Sequence, residues 1–275
     1  MKRKLAMLLF SAIVLTSCGS VNNDNSSMNN DNANVDISEV NKNSEEKVVL
    51  SELSTDKVGY GQGVQLDDKN RPTGALDFND KYGELGAKAI DEDNKNITLT
   101  FDQGYENGYT AKILDTLKEK NVKATFFLLK DYAERNPELV KRMIDEGHIV
   151  GNHSVTHRSM PELNEEECEK EILDMHKYIK DEFGYEMTQF RPPMGEFSEF
   201  SLGVTNNCGY ETVLWSYAYA DWDVDNQPEP QEALKKLNDS LHNGAIYLLH
   251  SVSSTNAEIL GDFIDYAVGQ GYKFK

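Results

Sequence analysis

Basic residues are scarce in this chain: 28 Lys and Arg stand against 47 Asp and Glu, a formal net charge of −19 over 275 residues. The acidic excess is not confined to one tail and continues through the periodic part of the sequence. A surface of that sign argues against nucleic acid and anionic lipid headgroups as partners. Cysteine is also sparse, with three residues in all. Cys18 belongs to the leader. Cys168 falls in step with Ile172, Met175 and Ile179 on a helical apolar stripe, and Cys208 precedes Gly209 at an expected helix end. Two buried free thiols are therefore expected in place of a disulfide framework. Long apolar runs are missing too, since the stretch over residues 5–15 is too short to span a bilayer comfortably. No internal repeat is visible.

The leader is informative. Lys2, Arg3 and Lys4 precede that apolar stretch, and Leu15-Thr16-Ser17-Cys18 resembles a bacterial lipobox. Residues 1–18 are accordingly read as a lipoprotein signal peptide, cleaved before Cys18 so that this cysteine carries lipid. An ordinary signal peptide cut further on, or an uncleaved anchor, are the alternatives, and each leaves the remainder outside the cytoplasm. Residues 19–47 are rich in Asn, Ser and Asp with almost nothing apolar to form a core, which describes a disordered tether. Residues 48–96 hold turn-rich sequence such as Gly59-Tyr60-Gly61-Gln62-Gly63 and Arg71-Pro72-Thr73-Gly74, read as an irregular N-terminal extension wrapping the domain. Residues 97–275 are long enough for one sizeable core.

From residue 97 strand-like and helix-like segments alternate. Strands are expected over 97–101, 124–129, 148–152, 189–191, 210–215, 245–249 and 272–274, with helices over 109–120, 137–146, 164–183, 198–208, 229–241 and 257–270. Pro137 suits a first helical turn, Asn164 leads three glutamates, and Gly147, Gly184 and Gly209 fall where C-terminal caps belong. Seven or so βα units predict an α/β fold, a distorted (β/α)7-8 barrel, with a doubly wound open sheet as the alternative. In a barrel, functional groups gather where strands end.

Polar groups of catalytic type stand at those ends. Asp102 closes Ile97-Thr98-Leu99-Thr100-Phe101 and precedes Gln103-Gly104; the helix it could otherwise cap begins too far away. His153 and His157 have a spacing that lets two imidazoles face one metal ion, or that serves hydrogen bonding within a loop. Arg191-Pro192-Pro193 is a rigid turn that can aim a guanidinium at a carboxylate, or a surface turn with a solvated arginine. Asp221-Trp222 lies among Trp215, Tyr217 and Tyr219, rings that can stack on sugars or simply fill a core. His250 ends the apolar run Ala245-Ile246-Tyr247-Leu248-Leu249, as a catalytic group or a satisfied core histidine.

Taken together, these segments resemble the polysaccharide deacetylases with the NodB homology domain, carbohydrate esterase family 4. The likeness covers roughly residues 97–275 and includes five motifs in order: Thr100 to Gly104, His153 to His157, Arg191 to Gly195, Asp221-Trp222 and Leu249-His250. Gly104-Tyr105-Glu106-Asn107-Gly108-Tyr109-Thr110 and Arg191-Pro192-Pro193-Met194-Gly195-Glu196-Phe197-Ser198 are similar to the delta-lactam-biosynthetic de-N-acetylase branch, which acts on muramic acid in spore peptidoglycan. So is the run from Gly244 to Ser253.

By position, the resemblance implies Asp102 as general base, Arg191 holding it ionised, His250 as general acid and Asp221 orienting His250. It implies a divalent metal, zinc by expectation, on His153 and His157. It also implies an oxyanion site using a backbone N–H near Met194, and glycan contacts from Trp222, Met194 and Tyr105. Gln103 stands where the family has a second acid as third metal ligand; an amide carbonyl is neutral and a poorer ligand, so a weakly held metal is expected. Met194 replaces an aromatic residue common in the wider family. The implied function is hydrolysis of the N-acetyl group of N-acetylmuramic acid in peptidoglycan, leading to muramic delta-lactam in spore cortex, by a lipid-anchored monomer. The alternatives are an N-acetylglucosamine deacetylase of peptidoglycan or chitin-like glycan and a non-catalytic glycan-binding lipoprotein on a degenerate deacetylase fold. A solute-binding lipoprotein of a transporter is a more distant one.

Overall fold

The computed structural model describes residues 47–275. The expected signal peptide, the lipidation site Cys18 and nearly all of the expected tether lie outside the described residues. In chain order the elements are β1 (Val58–Gly59), α1 (Thr73–Tyr82), β2 (Ala87–Lys88), β3 (Asn96–Gln103), α2 (Thr110–Glu119), β4 (Thr125–Leu128), α3 (Lys130–Arg135), α4 (Pro137–Asp145), β5 (Ile149–Asn152), α5 (Glu165–Phe183), β6 (Gln189–Phe190), β7 (Glu196–Phe197), α6 (Glu199–Asn207), β8 (Glu211–Val213), β9 (Tyr217–Ala218), α7 (Pro230–Asp239), β10 (Ala245–His250), α8 (Ser254–Gly269) and β11 (Lys273–Phe274).

Side-chain alternation along β3 sets the two faces of the sheet. Ile97, Leu99 and Phe101 are fully buried in the larger apolar cluster with the helix residues Ile113, Leu117 and Phe263. Thr100 and Asp102 point the other way, where both meet the guanidinium of Arg191. The nine-stranded sheet runs β2-β8-β6-β5-β4-β3-β10-β9, with β11 added beside β3, and its pairings are parallel. β2 and β9 end the order without pairing to each other, so the expected barrel is present in a curled, incompletely closed form. Helices end where the caps predict: α5 opens on an Asn164–Glu167 capping box and stops at Gly184 in the left-handed conformation. Cys168 is buried and Cys208 half-buried, both as free thiols.

Residues 48–96 depart from the irregular wrap expected of them. β2 pairs with β8 and forms one edge of the main sheet, and α1 packs into the fold. Ala75, Phe78 and Tyr82 of α1 join Phe127, Phe197, Trp215, Ile246 and Leu248 in a second apolar cluster, with Tyr60 against it. The Tyr60 ring lies 5.1 Å from Phe78 and 5.2 Å from Trp215, both edge to face. A sheet that does not close on itself leaves part of its inner apolar face open, and these rings fill it. The boundary expected at residue 97 is therefore not a structural one.

Candidate active site

Asp102 and His250 are register partners on the neighbouring parallel strands β3 and β10, so their side chains emerge side by side at the strand ends. A cavity of 490 Å³ opens over them, lined also by His153, His157, Met194 and Trp222. A second of 220 Å³, reaching Gly104, Tyr105 and Val252, shares Asp102, His153, His157, Trp222 and His250 with the first. The two are lobes of one cleft.

On the Asp102 side, Arg191 is wholly buried and every nitrogen of its guanidinium is used. Nη1 donates to Asp102 Oδ1 at 2.8 Å and to Thr100 Oγ1 at 2.8 Å, Nε to the Val213 carbonyl at 2.9 Å and Nη2 to the Leu214 carbonyl at 3.0 Å. The Phe127 ring lies 4.3 Å beneath the guanidinium. Burial by itself would raise the Asp102 carboxyl; the Arg191 charge, aided by His153 and His250, outweighs it and holds the group below the usual carboxylate range. Asp102 is thus an anion facing the cleft.

On the His250 side the order is reversed. Asp221 is wholly buried, and its Oδ1 lies 2.7 Å from His250 Nδ1. Its Oδ2 accepts from the His250 backbone N–H at 2.8 Å and from Asn256 Nδ2 at 2.6 Å. Burial acts to lower the imidazole's proton affinity, yet the bond to Asp221 and its charge prevail and raise it. Asn256 also accepts the Tyr219 hydroxyl, and its own N–H is capped by Ser253 at the start of α8. Asn256 was not foreseen. It lies one residue before the helix expected over 257–270, within the first turn of α8 as that helix forms.

His153 Nδ1 sits 2.7 Å from the Arg191 carbonyl, which requires the proton on that nitrogen and leaves Nε2 with a free lone pair, 3.6 Å from Asp102 Oδ2. Burial pushes the imidazole down to about 4 and lowers His157 as well, so both rings are neutral near pH 7. Their centroids are 5.1 Å apart at 72°. A neutral imidazole is the donor that a divalent metal requires, and both rings line the cleft, so the pair fits such an ion, His153 with its second nitrogen committed to a carbonyl. The third position does not follow. Gln103 is fully buried, donates from Nε2 to Ser251 Oγ at 2.5 Å and lines neither lobe of the cleft; its Oε1 is buried without a partner. The strand's alternation turns residue 103 away from the face that carries Asp102. Among the described residues, no group of three or more His, Cys, Asp or Glu is arranged to hold a metal.

The rim consists of Trp222, Met194 and Tyr105, each about half or more exposed. Met194 holds a positive φ of 60°, and Gly195 follows at 66° with Trp215 so close that a Cβ would lie 2.8 Å from the indole. The rigid turn after Arg191 therefore presses against the cleft wall. Among the described residues, Asp102, His153, His157, Met194, Tyr105, Trp222 and His250 line this cleft, Arg191 and Asp221 back it from the interior, and Gln103 does neither.

A family model described as polysaccharide deacetylase matches residues 89–213. The chain is 44% identical over 182 residues to the peptidoglycan-N-acetylmuramic acid deacetylase PdaA of Bacillus subtilis, covering 66% of this chain and 69% of that protein. It is 38% identical over 181 residues to the peptidoglycan-N-acetylglucosamine deacetylase PgdA of Listeria monocytogenes, covering 66% of this chain and 38% of that one. Its fold superposes on the solved structure of Bacillus subtilis PdaA, a family 4 carbohydrate esterase, with a TM-score of 0.77 and 38% identity, covering 81% of this chain and 96% of that chain.

Proposed function

The chain belongs to the polysaccharide deacetylase family, whose members hydrolyse amide bonds, and from that premise we propose that it removes the acetyl group from N-acetylmuramic acid in peptidoglycan. The observation that carries the reading is the pairing of Asp102 with His250 as register partners across one cleft, the first an anion and the second a cation-prone imidazole. Asp102 takes a proton from the attacking water as its oxygen adds to the acetamide carbonyl carbon. His250 delivers a proton to the sugar nitrogen as the C–N bond breaks, releasing acetate and leaving a free amine. A divalent metal, zinc by expectation, would be held by His153 and His157 and would supply Lewis acidity at the acetamide oxygen. The oxyanion side of the cleft is assigned to the backbone at Met194, and Trp222, Met194 and Tyr105 are assigned to contact the glycan.

The free amine then closes onto the lactyl carboxyl of the same sugar with loss of water, giving the delta-lactam of spore cortex. Lipid on Cys18 would hold the protein at the outer face of the membrane, within reach of the wall. The identity to a deacetylase of N-acetylmuramic acid supports this substrate over N-acetylglucosamine, which the Listeria relative favours. The complete Asp102–Arg191 and Asp221–His250 pairs speak against a binding module without catalysis.

Mass spectrometry of muropeptides, after incubation of the protein with peptidoglycan stripped of stem peptides, tests the proposal. Acetyl loss at muramic acid followed by water loss is expected, and it should disappear with a chelator. Acetyl loss confined to glucosamine would move the substrate assignment, and an unchanged spectrum from folded protein would leave a glycan-binding module.

A further inference from the structure

The loop that carries the two histidines contains no glycine after Gly151, yet Ser154 and His157 both hold positive φ, at 77° and 59°. That backbone is one that residues with side chains rarely adopt, and it persists only where surroundings over-determine it. The surroundings are supplied largely by α5. Glu171, only 7% exposed, accepts the Val155 N–H at 3.0 Å and the Thr156 N–H at 2.8 Å on Oε2, and the Thr156 hydroxyl on Oε1. One residue on, the Ile172 carbonyl accepts from Asn152 Nδ2 at 2.8 Å, and Asn152 Oδ1 in turn receives the Ser154 N–H at 2.9 Å. The Ser154 hydroxyl accepts the His157 N–H at 3.0 Å. Both ends of the loop are thereby fastened to adjacent residues of one helix.

We propose that Glu171 is a positioning residue for the metal pair: its carboxylate holds residues 155 and 156 so that the His157 ring turns back over the cleft toward His153. The inference rests on the reading of that pair as metal ligands and extends it to a residue that touches neither the ion nor the substrate. Glu171 acts by geometry and not by charge. A glutamine can set its carbonyl oxygen where Oε2 stands and keep both N–H bonds, while its NH₂ meets the Thr156 hydroxyl, which can accept as well as donate. An alanine leaves all three donors without their acceptor.

The test is zinc affinity of the full chain, measured by competition with a chelating dye well below the unfolding temperature, with Tm recorded in parallel. Glu171→Ala is expected to weaken zinc binding by about 10- to 100-fold, Glu171→Gln to bind close to wild type, and Thr156→Val, which removes one of the three bonds, to lie between them. If Glu171→Ala does not fold, the ordering of the other two carries the test. Zinc affinity unchanged in Glu171→Ala, or in Thr156→Val where only that variant folds, overturns the proposal even if Tm falls. So does a glutamine variant as weak as the alanine one. A wild-type chain that binds no zinc removes the metal reading and the proposal together, whereas wild-type binding with unaffected variants removes the proposal alone.

Discussion

Each side of the cleft pairs a carboxylate with a basic group, in opposite orientation. At Asp102–Arg191 the guanidinium lies behind, wholly buried, and the carboxylate faces the cleft; at Asp221–His250 the carboxylate lies behind, wholly buried, and an imidazole whose proton affinity it raises faces the cleft. Whichever member is buried first fixes the protonation of the one in front. The first arrangement holds a carboxyl low and makes a base, and the second holds an imidazole high and makes an acid. The two roles rest on burial and residue type together: a buried arginine, which keeps its proton, holds a carboxylate ionised, and a buried carboxylate raises an imidazole that can still give its proton up.

The comparison breaks most sharply at the groups in front. Asp102→Asn should lower kcat by roughly 100- to 10,000-fold and also lower Tm, because the amide can still accept from Arg191 but leaves that buried guanidinium without its counter-charge; single-turnover deacetylation checks the rate, and a small loss would show that Asp102 is not the base. Removing the buried cation should cost stability as well. Arg191→Met strands the Asp102 carboxylate without its partner, and urea unfolding is expected to report a loss of about 3–5 kcal/mol.

The pH profile separates the two pairs. Asp102 is active when ionised and its pKa is lowered, so the acid limb of kcat/KM should fall below the ordinary carboxylate value. His250 is active when protonated and its pKa is raised, so the alkaline limb should lie above the ordinary imidazole value of 6.5. Asp221→Asn removes the charge that raises His250, and the alkaline limb should move to lower pH while the acid limb stays; a profile with both limbs unmoved would mean that Asp221 does not tune the acid. The smallest effect is expected at Asn256→Ala, which takes one of the bonds on Asp221 Oδ2. A loss of roughly 0.5–1.5 kcal/mol in transition-state stabilisation, read from kcat/KM at neutral pH, should accompany a slight shift of the alkaline limb alone.

Much of this was legible without coordinates. The apolar runs ending in Asp102, His153, Arg191 and His250 are strands or strand ends because their side chains alternate or are uniformly apolar, and the helices between them carry their own stop signals at Gly147, Gly184 and Gly209. Local rules act on local sequence, and there the expectations held. Residues 48–96 were not legible, because α1 and β2 are stabilised by what they cover: Phe78 and Tyr82 have no periodic context until Phe197 and Trp215 are placed opposite them. Gln103 entered the site through the family position it occupies, and the resemblance could not show that its amide is buried against Ser251 and not in the cleft. Glu171 and Asn256 were invisible for a related reason. Each sits on a helix whose pattern looks ordinary, and each acquires its role from a loop that is distant in the chain.

The sequence by itself determined which chemical groups stand at the strand ends and where the chain turns, since both depend on residue type and near neighbours. Only the tertiary structure decided which group of each pair is buried, which nitrogen of His153 keeps its lone pair and which helix side chain fastens the histidine loop. Those outcomes depend on desolvation and on hydrogen-bond partners supplied by remote segments: the carbonyls of Val213 and Leu214 behind Arg191, the Arg191 carbonyl beside His153, and Glu171 beneath Thr156.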